Sequence, residues 1–250
     1  MRGLWAALGL LTTLPVPPRW PGKAPVPPRA MLWWFVPVGG LIGAIAAGVA
    51  SLAWHVLPWS AAATLGVLTL VAVSGGLHLD GFMDACDGLG SRAPGERALE
   101  IMKDPNTGAF AVLGCLCLLI LKVALVAGMA PWQGVVALGL APVCGRFMQL
   151  VVMQGHAYAR PEGGMGAAFF SAVTAQQARI WTLLTVLALA CGGPPGRIGA
   201  IVAIGGVLLF AHVVNRRLGG HTGDTVGACS ELAELLFILG FAAAAHGIVW

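Results

Sequence analysis

TGAFAVLGCLCLLILKVALVAGM, residues 107–129, carries a single charge, Lys122, in 23 positions. A helix needs about 20 mostly apolar residues to cross the hydrocarbon of a bilayer. One that is apolar on every side has no face to offer to water. Outward from this run the pattern repeats, at about 31–57, 59–77, 131–154, 180–193, 198–214 and 227–249. The chain of 250 residues is 58% hydrophobic and 10% charged, whereas ordinary globular domains are about a quarter charged. These features predict an all-α fold. It is expected to be a polytopic transmembrane helix bundle of about six to seven spans, a single integral-membrane domain over residues 1–250 with a lipid bilayer as its solvent.

The connections orient the bundle. Leu57-Pro58-Trp59, Met129-Ala130-Pro131-Trp132 and Gly192-Gly193-Pro194-Pro195-Gly196-Arg197 read as tight turns, while 15–30, 78–106, 155–179 and 215–226 are long and polar. Alternating short and long connections put every long loop on one face. That face carries Arg19, Lys23, Arg29, Arg92, Arg97, Lys103, Arg160, Arg179, Arg216 and Arg217; the other carries Arg197. Lys and Arg collect in cytoplasmic loops, so the long loops are expected in the cytoplasm and the protein in the cell inner membrane. Trp33, Trp34, Trp54, Trp59, Trp132 and Trp181 fall near span ends, as an interfacial aromatic belt requires.

Met1 to Leu14 has one Arg and a short apolar run, followed by Pro15, Pro17 and Pro18 where a signal peptide would offer small residues for cleavage. It reads as a short interfacial or re-entrant helix. The six cysteines (Cys86, Cys115, Cys117, Cys144, Cys191, Cys229) lie mostly in apolar stretches without C-x-x-C spacing, so buried thiols acting as small hydrophobes are expected. The net charge of +4 is modest and its basic residues are scattered, so no nucleic-acid partner is implied.

Three segments can carry chemistry. In His78-Leu79-Asp80-Gly81-Phe82-Met83-Asp84-Ala85-Cys86-Asp87-Gly88, a helix would align Asp80, Asp84 and Asp87 on one face. Their mutual repulsion favours a divalent cation, and oxygen ligands point to Mg2+ or Ca2+; the plainer alternative is a solvated acidic face. In the segment from Glu96 to Gly108, Pro94 suits a helix start and Pro105 ends the helix at Asp104. Arg97 and Lys103 there offer cations to phosphate oxygens, or serve an ordinary surface helix. In Arg216-Arg217-Leu218-Gly219-Gly220-His221-Thr222-Gly223-Asp224-Thr225-Val226-Gly227, the glycines let the backbone approach a ligand, while Asp224 or Thr225 could equally cap the following helix. Glu231 and Glu234, in the first turns of the last span, should face the protein interior, and one polar chamber is expected to collect all the acids. Arg146 lies inside a span, a functional candidate by position. Arg160 closes the stretch His156-Ala157-Tyr158-Ala159-Arg160, and Lys122 could snorkel or pair.

The blocks H-L-D-G-F-M-D-A-C-D-G, E-I-M-K-D and G-H-T-G-D-T-V-G-A, with L-P-V-P near the N-terminus, resemble the cobalamin synthase family, the adenosylcobinamide-GDP ribazoletransferases. The resemblance covers essentially the whole chain. It implies transfer of alpha-ribazole, or its 5'-phosphate, onto adenosylcobinamide-GDP, with adenosylcobalamin (or its 5'-phosphate) and GMP as products. Under it, Asp80, Asp84, Asp87 and Asp104 are assigned to Mg2+, and Arg97 and Lys103, with Arg146, Arg160 and Arg216, to substrate phosphates. Asp224 becomes the candidate for orienting or deprotonating the ribazole hydroxyl, with Glu231 supporting it and His78 counted among the catalytic candidates. Asp84 to Gly88 is also similar to the start of the CDP-alcohol phosphotransferase signature, whose second half is absent. A lipid enzyme of that kind and a corrinoid transporter are the rival readings, and a second copy of the chain is an admissible partner.

Overall fold

The computed structural model describes residues 1–16, 25–160, 162–164 and 166–247. Pro17, Pro18, Arg19, Lys23 and the end of the last apolar stretch at 249 lie outside the described residues. The helices in chain order are α1 (Arg2–Leu11), α2 (Pro28–Leu32), α3 (Phe35–Trp54), α4 (Trp59–Ser74), α5 (Leu77–Gly90), α6 (Gly95–Ile101), α7 (Ala109–Ala127), α8 (Pro131–Gly155), α9 (Ala167–Phe170), α10 (Ala175–Ala190), α11 (Gly193–Leu218) and α12 (Gly223–Gly247). Among the described residues the sole β pairing is an isolated bridge between Tyr158 and His221.

Helices α3, α7, α8, α11 and α12 are long and apolar enough to cross a membrane, and α4 with α5 passes the same test as one pair bent by 90°. The bend falls at Gly75 and Gly76, both in the left-handed region (φ 63° and 69°) that glycine enters without steric cost. We read α4 as the span. Helix α5, turned across it, lies along the end of the bundle where α7 and α12 begin. The outward faces are apolar: Leu113, Ile120, Leu183, Ile201 and Leu209 are all about 60% exposed or more. Such a surface is stable against hydrocarbon rather than water.

With lipid outside, helices associate through close packing and small residues. A Cβ at Gly39 would stand 2.5 Å from the Pro142 carbonyl oxygen, and one at Gly43 would stand 2.1 Å from that of Gly139, so α3 meets α8 backbone to backbone. Gly199 and Gly240 bring α11 and α12 together in the same way. Trp54 packs edge-on against Trp59 at 6.2 Å beside the α3–α4 turn, and Trp33 faces Trp181 at 6.4 Å where α3 and α10 begin.

Three expectations need correction. Helix α11 starts at Gly193 rather than 198, because Pro194 and Pro195 sit in the first turn, where no intrahelical N–H is required. It also runs on to Leu218, and α12 begins at Gly223. The expected polar connection 215–226 therefore shrinks to the four residues between them. Of the cysteines, Cys144 and Cys229 are buried but Cys117 and Cys191 are exposed on outward faces; a thiol is apolar enough to sit against hydrocarbon.

Candidate functional site

The site is built where α5 crosses the start of α12. A Cβ at Gly81 would lie 2.9 Å from both the Cα and the carbonyl oxygen of Asp224, and one at Gly227 would lie 3.3 Å from the His78 carbonyl oxygen. These two glycines let the backbones touch, so the acidic face of α5 is pressed against Asp224. Asp84 feels the consequence. Partial burial, then the negative charges of Asp224, Asp80 and Asp87, push its carboxyl up to about 6.

Each carboxylate has a different local duty. Asp87 accepts hydrogen bonds from the backbone N–H groups of Gly108 (2.7 Å) and Ala111 (2.9 Å), capping the N-terminus of α7. Asp224 does not cap α12. Thr222 does, its hydroxyl accepting from the Thr225 N–H at 3.2 Å while the Thr225 hydroxyl accepts from the Thr222 N–H at 2.8 Å. This reciprocal pair leaves the Asp224 carboxylate to accept from Arg160 Nη2 at 2.6 Å and from the Thr222 hydroxyl at 3.2 Å.

Arg160 reaches Asp224 because its loop is pinned to the α11–α12 link. The Ala159 N–H donates to the His221 carbonyl at 2.8 Å, and the His221 N–H donates to that of Ala157 at 2.9 Å. The His221 ring is buried, with Nε2 3.1 Å from the Ala211 carbonyl oxygen. Burial, with His156 alongside, pulls its pKa down to about 4, so it stays neutral and structural.

Beneath this surface lies a buried ion network joining four helices. Lys122 of α7 donates to Glu231 at 2.6 Å and to Glu234 at 2.8 Å, both on α12. Glu234 also pairs with Arg146 of α8, whose Nη2 lies 3.2 Å from His78 Nδ1. A guanidinium offers no lone pair, so His78 Nδ1 is the acceptor and the ring proton sits on Nε2.

A cavity of ≈ 290 Å³ opens between these layers. Asp80, Asp224, Arg160 and His78 line it together with Phe35, Phe169, Phe170 and Met153. The structure thus gathers Asp80, Asp84, Asp224, Arg160 and His78, and places the other candidates elsewhere. Glu231 lies in the ion network rather than on the cavity wall. Arg146 is buried and acts through His78 and Glu234. Arg97 pairs with Glu100 on the exposed face of α6, and Lys103 pairs with Glu162. Asp104 is exposed, and the backbone and side chain of Asn106 hold its carboxyl below the usual range. Arg216 is exposed, whereas its neighbour Arg217 donates to the carbonyls of Leu89 (2.6 Å) and Ala93 (3.1 Å), fixing the end of α5. One common chamber for all the acids is not found: Lys122 and Arg146 neutralise Glu231 and Glu234 separately, inside the bundle.

Gln149 carried no weight in the sequence reading, and Tyr158 and Arg217 entered it only as members of longer stretches. A polar Gln within an apolar span was the available signal for the first; the other two depend on contacts across 60 residues or more.

The carboxylates of Asp80, Asp84 and Asp224 at the crossing are hard oxygen donors, which suits Mg2+. Among the described residues no three metal-binding side chains form a closed group. That is compatible with an ion that takes one or two carboxylates and completes its shell with water and substrate phosphate.

Comparison with known proteins follows the same direction. Residues 3–242 match the family model described as Cobalamin-5-phosphate synthase. The chain is 39% identical over 251 residues to the adenosylcobinamide-GDP ribazoletransferase of Desulfitobacterium hafniense, covering 96% of each chain. It is 37% identical over 243 residues to that of Citrobacter koseri, covering 94% of this chain and 97% of the relative. With that of Klebsiella pneumoniae strain 342 the figures are 37% over 246 residues, 96% and 98%. No solved structure matches the chain.

Proposed function

The chain belongs to the cobalamin-5-phosphate synthase family, and we propose that it transfers alpha-ribazole, or its 5'-phosphate, onto adenosylcobinamide-GDP in the cell inner membrane. The products are adenosylcobalamin, or its 5'-phosphate, and GMP. The observation that carries this reading is the α5–α12 crossing, where Asp80, Asp84 and Asp224 crowd together beside Arg160, and where Asp80, Asp224 and Arg160 line a cavity. Carboxylates are brought so close where they are to share a cation and a substrate.

In the reaction a ribazole hydroxyl oxygen forms a bond to the phosphorus bearing the cobinamide. The bond from that phosphorus to the GMP oxygen breaks, GMP leaves with the electron pair, and the hydroxyl proton passes to a base. Such transfer depends on positioning and on charge neutralisation. Asp80 and Asp84 would hold Mg2+, with Asp87 beside them held in place by the α7 amides; the bound ion would screen the pyrophosphate charge. Asp224, oriented by Arg160 and Thr222, takes the hydroxyl proton. His78 presents a proton on Nε2, so it donates a hydrogen bond to a substrate oxygen rather than acting as a base. The long polar connections would face the cytoplasm, where the nucleotide is made and released.

The test is direct. Purified protein in nanodiscs with Mg2+, adenosylcobinamide-GDP and alpha-ribazole should release GMP in step with corrinoid product, followed by chromatography. GMP release that ignores ribazole would make the protein a pyrophosphate hydrolase and end this reading.

A further inference from the structure

Gln149 is 2% exposed on α8, lines the cavity, and has an Nε2 amide group without any hydrogen-bond partner. A buried amide left unpaired is costly. Aromatic rings line that cavity too: Phe35 lies 5.8 Å from Phe169, and Tyr158 packs edge-on against Phe170 at 5.3 Å. Asp80, Asp224 and Arg160, whose own Nε also lacks a partner, line the same cavity. The cavity therefore suits a ligand that combines a flat apolar ring, bearing one acceptor atom, with hydroxyl or phosphate oxygens.

Resting on the transfer proposed above, we infer that this cavity seats the acceptor nucleoside, and that the Gln149 amide reads the unalkylated ring nitrogen of its benzimidazole base. That nitrogen accepts a hydrogen bond and donates none. Guanine, the other planar base in the reaction, would bring several donors and acceptors to a wall that has one free amide. At ≈ 290 Å³ the cavity lies at the lower end of small-molecule sites. That volume is of the order of a nucleoside and well short of a corrin macrocycle with its side chains. With the base at Gln149, Asp224 and Arg160 of the same lining are left for the ribose, whose hydroxyl must lose its proton.

The experiment compares two acceptors in GMP-release kinetics: 5,6-dimethylbenzimidazole riboside and the corresponding dimethylindole riboside, in which a C–H replaces the ring nitrogen. The wild type should prefer the benzimidazole by about tenfold in kcat/KM, the factor that one hydrogen bond carries. Gln149→Met, close to Gln in size, and Gln149→Leu should abolish that preference by weakening the benzimidazole alone. A merely structural Gln149 would shift both acceptors together and leave their ratio intact. The inference is overturned if the wild type does not discriminate, if the variants keep the preference, or if it is the KM for adenosylcobinamide-GDP that rises. If the wild type releases no GMP with either nucleoside, the transfer reading itself has failed, a result separate from any of these.

Discussion

Substituting Gly81 by alanine tests the geometry on which the site depends. The new Cβ would stand 2.9 Å from the Asp224 Cα and carbonyl oxygen, where carbon contacts are comfortable at about 3.5–4.0 Å. Both obstacles are backbone, so no side chain can rotate away, and α5 and α12 must part by roughly 0.6–1 Å. Overpacking of this kind costs about 1–3 kcal/mol, which a bundle held by many other contacts should survive. The chemistry is less tolerant, since a misplacement of about 1 Å can cost about 10²-fold in rate. Gly205→Ala is the control: a Cβ there meets nothing within 4 Å, and alanine in an open helical position should be neutral or slightly stabilising. Thermal unfolding and GMP release would be measured on both variants in nanodiscs. Gly81→Ala should melt slightly lower and lose about two orders of magnitude in turnover, while Gly205→Ala keeps both. Full turnover by Gly81→Ala would refute the claim that the backbone contact sets the spacing of the carboxylates.

Further outcomes follow from the same structure. Glu234→Gln leaves Lys122 and Arg146 sharing one carboxylate, and should destabilise by about 3–5 kcal/mol in denaturation; Lys122→Met with Glu231→Leu, which removes a pair together, should cost less than Lys122→Met alone. Asp84→Asn should abolish turnover yet raise the melting point in EDTA, because Asp84 must ionise among Asp224, Asp80 and Asp87. The sign also sets a pH window. With its folded pKa raised from 3.8 to about 6, Asp84 contributes stability that is fully present below about 4 and lost as pH rises through about 6, a slope that Asp84→Asn should lack in calorimetry. Asp224→Asn should keep adenosylcobinamide-GDP binding while turnover drops by about 10²–10⁴-fold; Thr222→Ala should instead show its main effect as about 0.5–2 kcal/mol of lost stability. In a cysteine-free background, Glu96→Cys should label from the cytoplasm and Arg197→Cys from outside; the reverse pattern would disprove the orientation.

The sequence by itself determined the class of fold and the family. Over the described residues each apolar stretch formed a helix, because a run such as Ala109–Ala127 in a bilayer can satisfy its backbone groups only within itself. Helix periodicity likewise put Asp80, Asp84 and Asp87 on one face. What those carboxylates meet was decided by the tertiary structure. Gly81 and Gly227 look like any other helical glycines in the sequence, yet they bring Asp224 against a helix more than 130 residues earlier. Thr222 and Thr225 take the capping role that Asp224 was equally suited to, and Arg160 is delivered by a loop docked on His221. Lys122, Arg146, Glu231 and Glu234 were visible one by one as costly charges in apolar surroundings. That they neutralise one another, leaving Glu231 away from the cavity, depends on which faces of α7, α8 and α12 meet. Helical period sets the face each side chain occupies, but helix packing selects its partners.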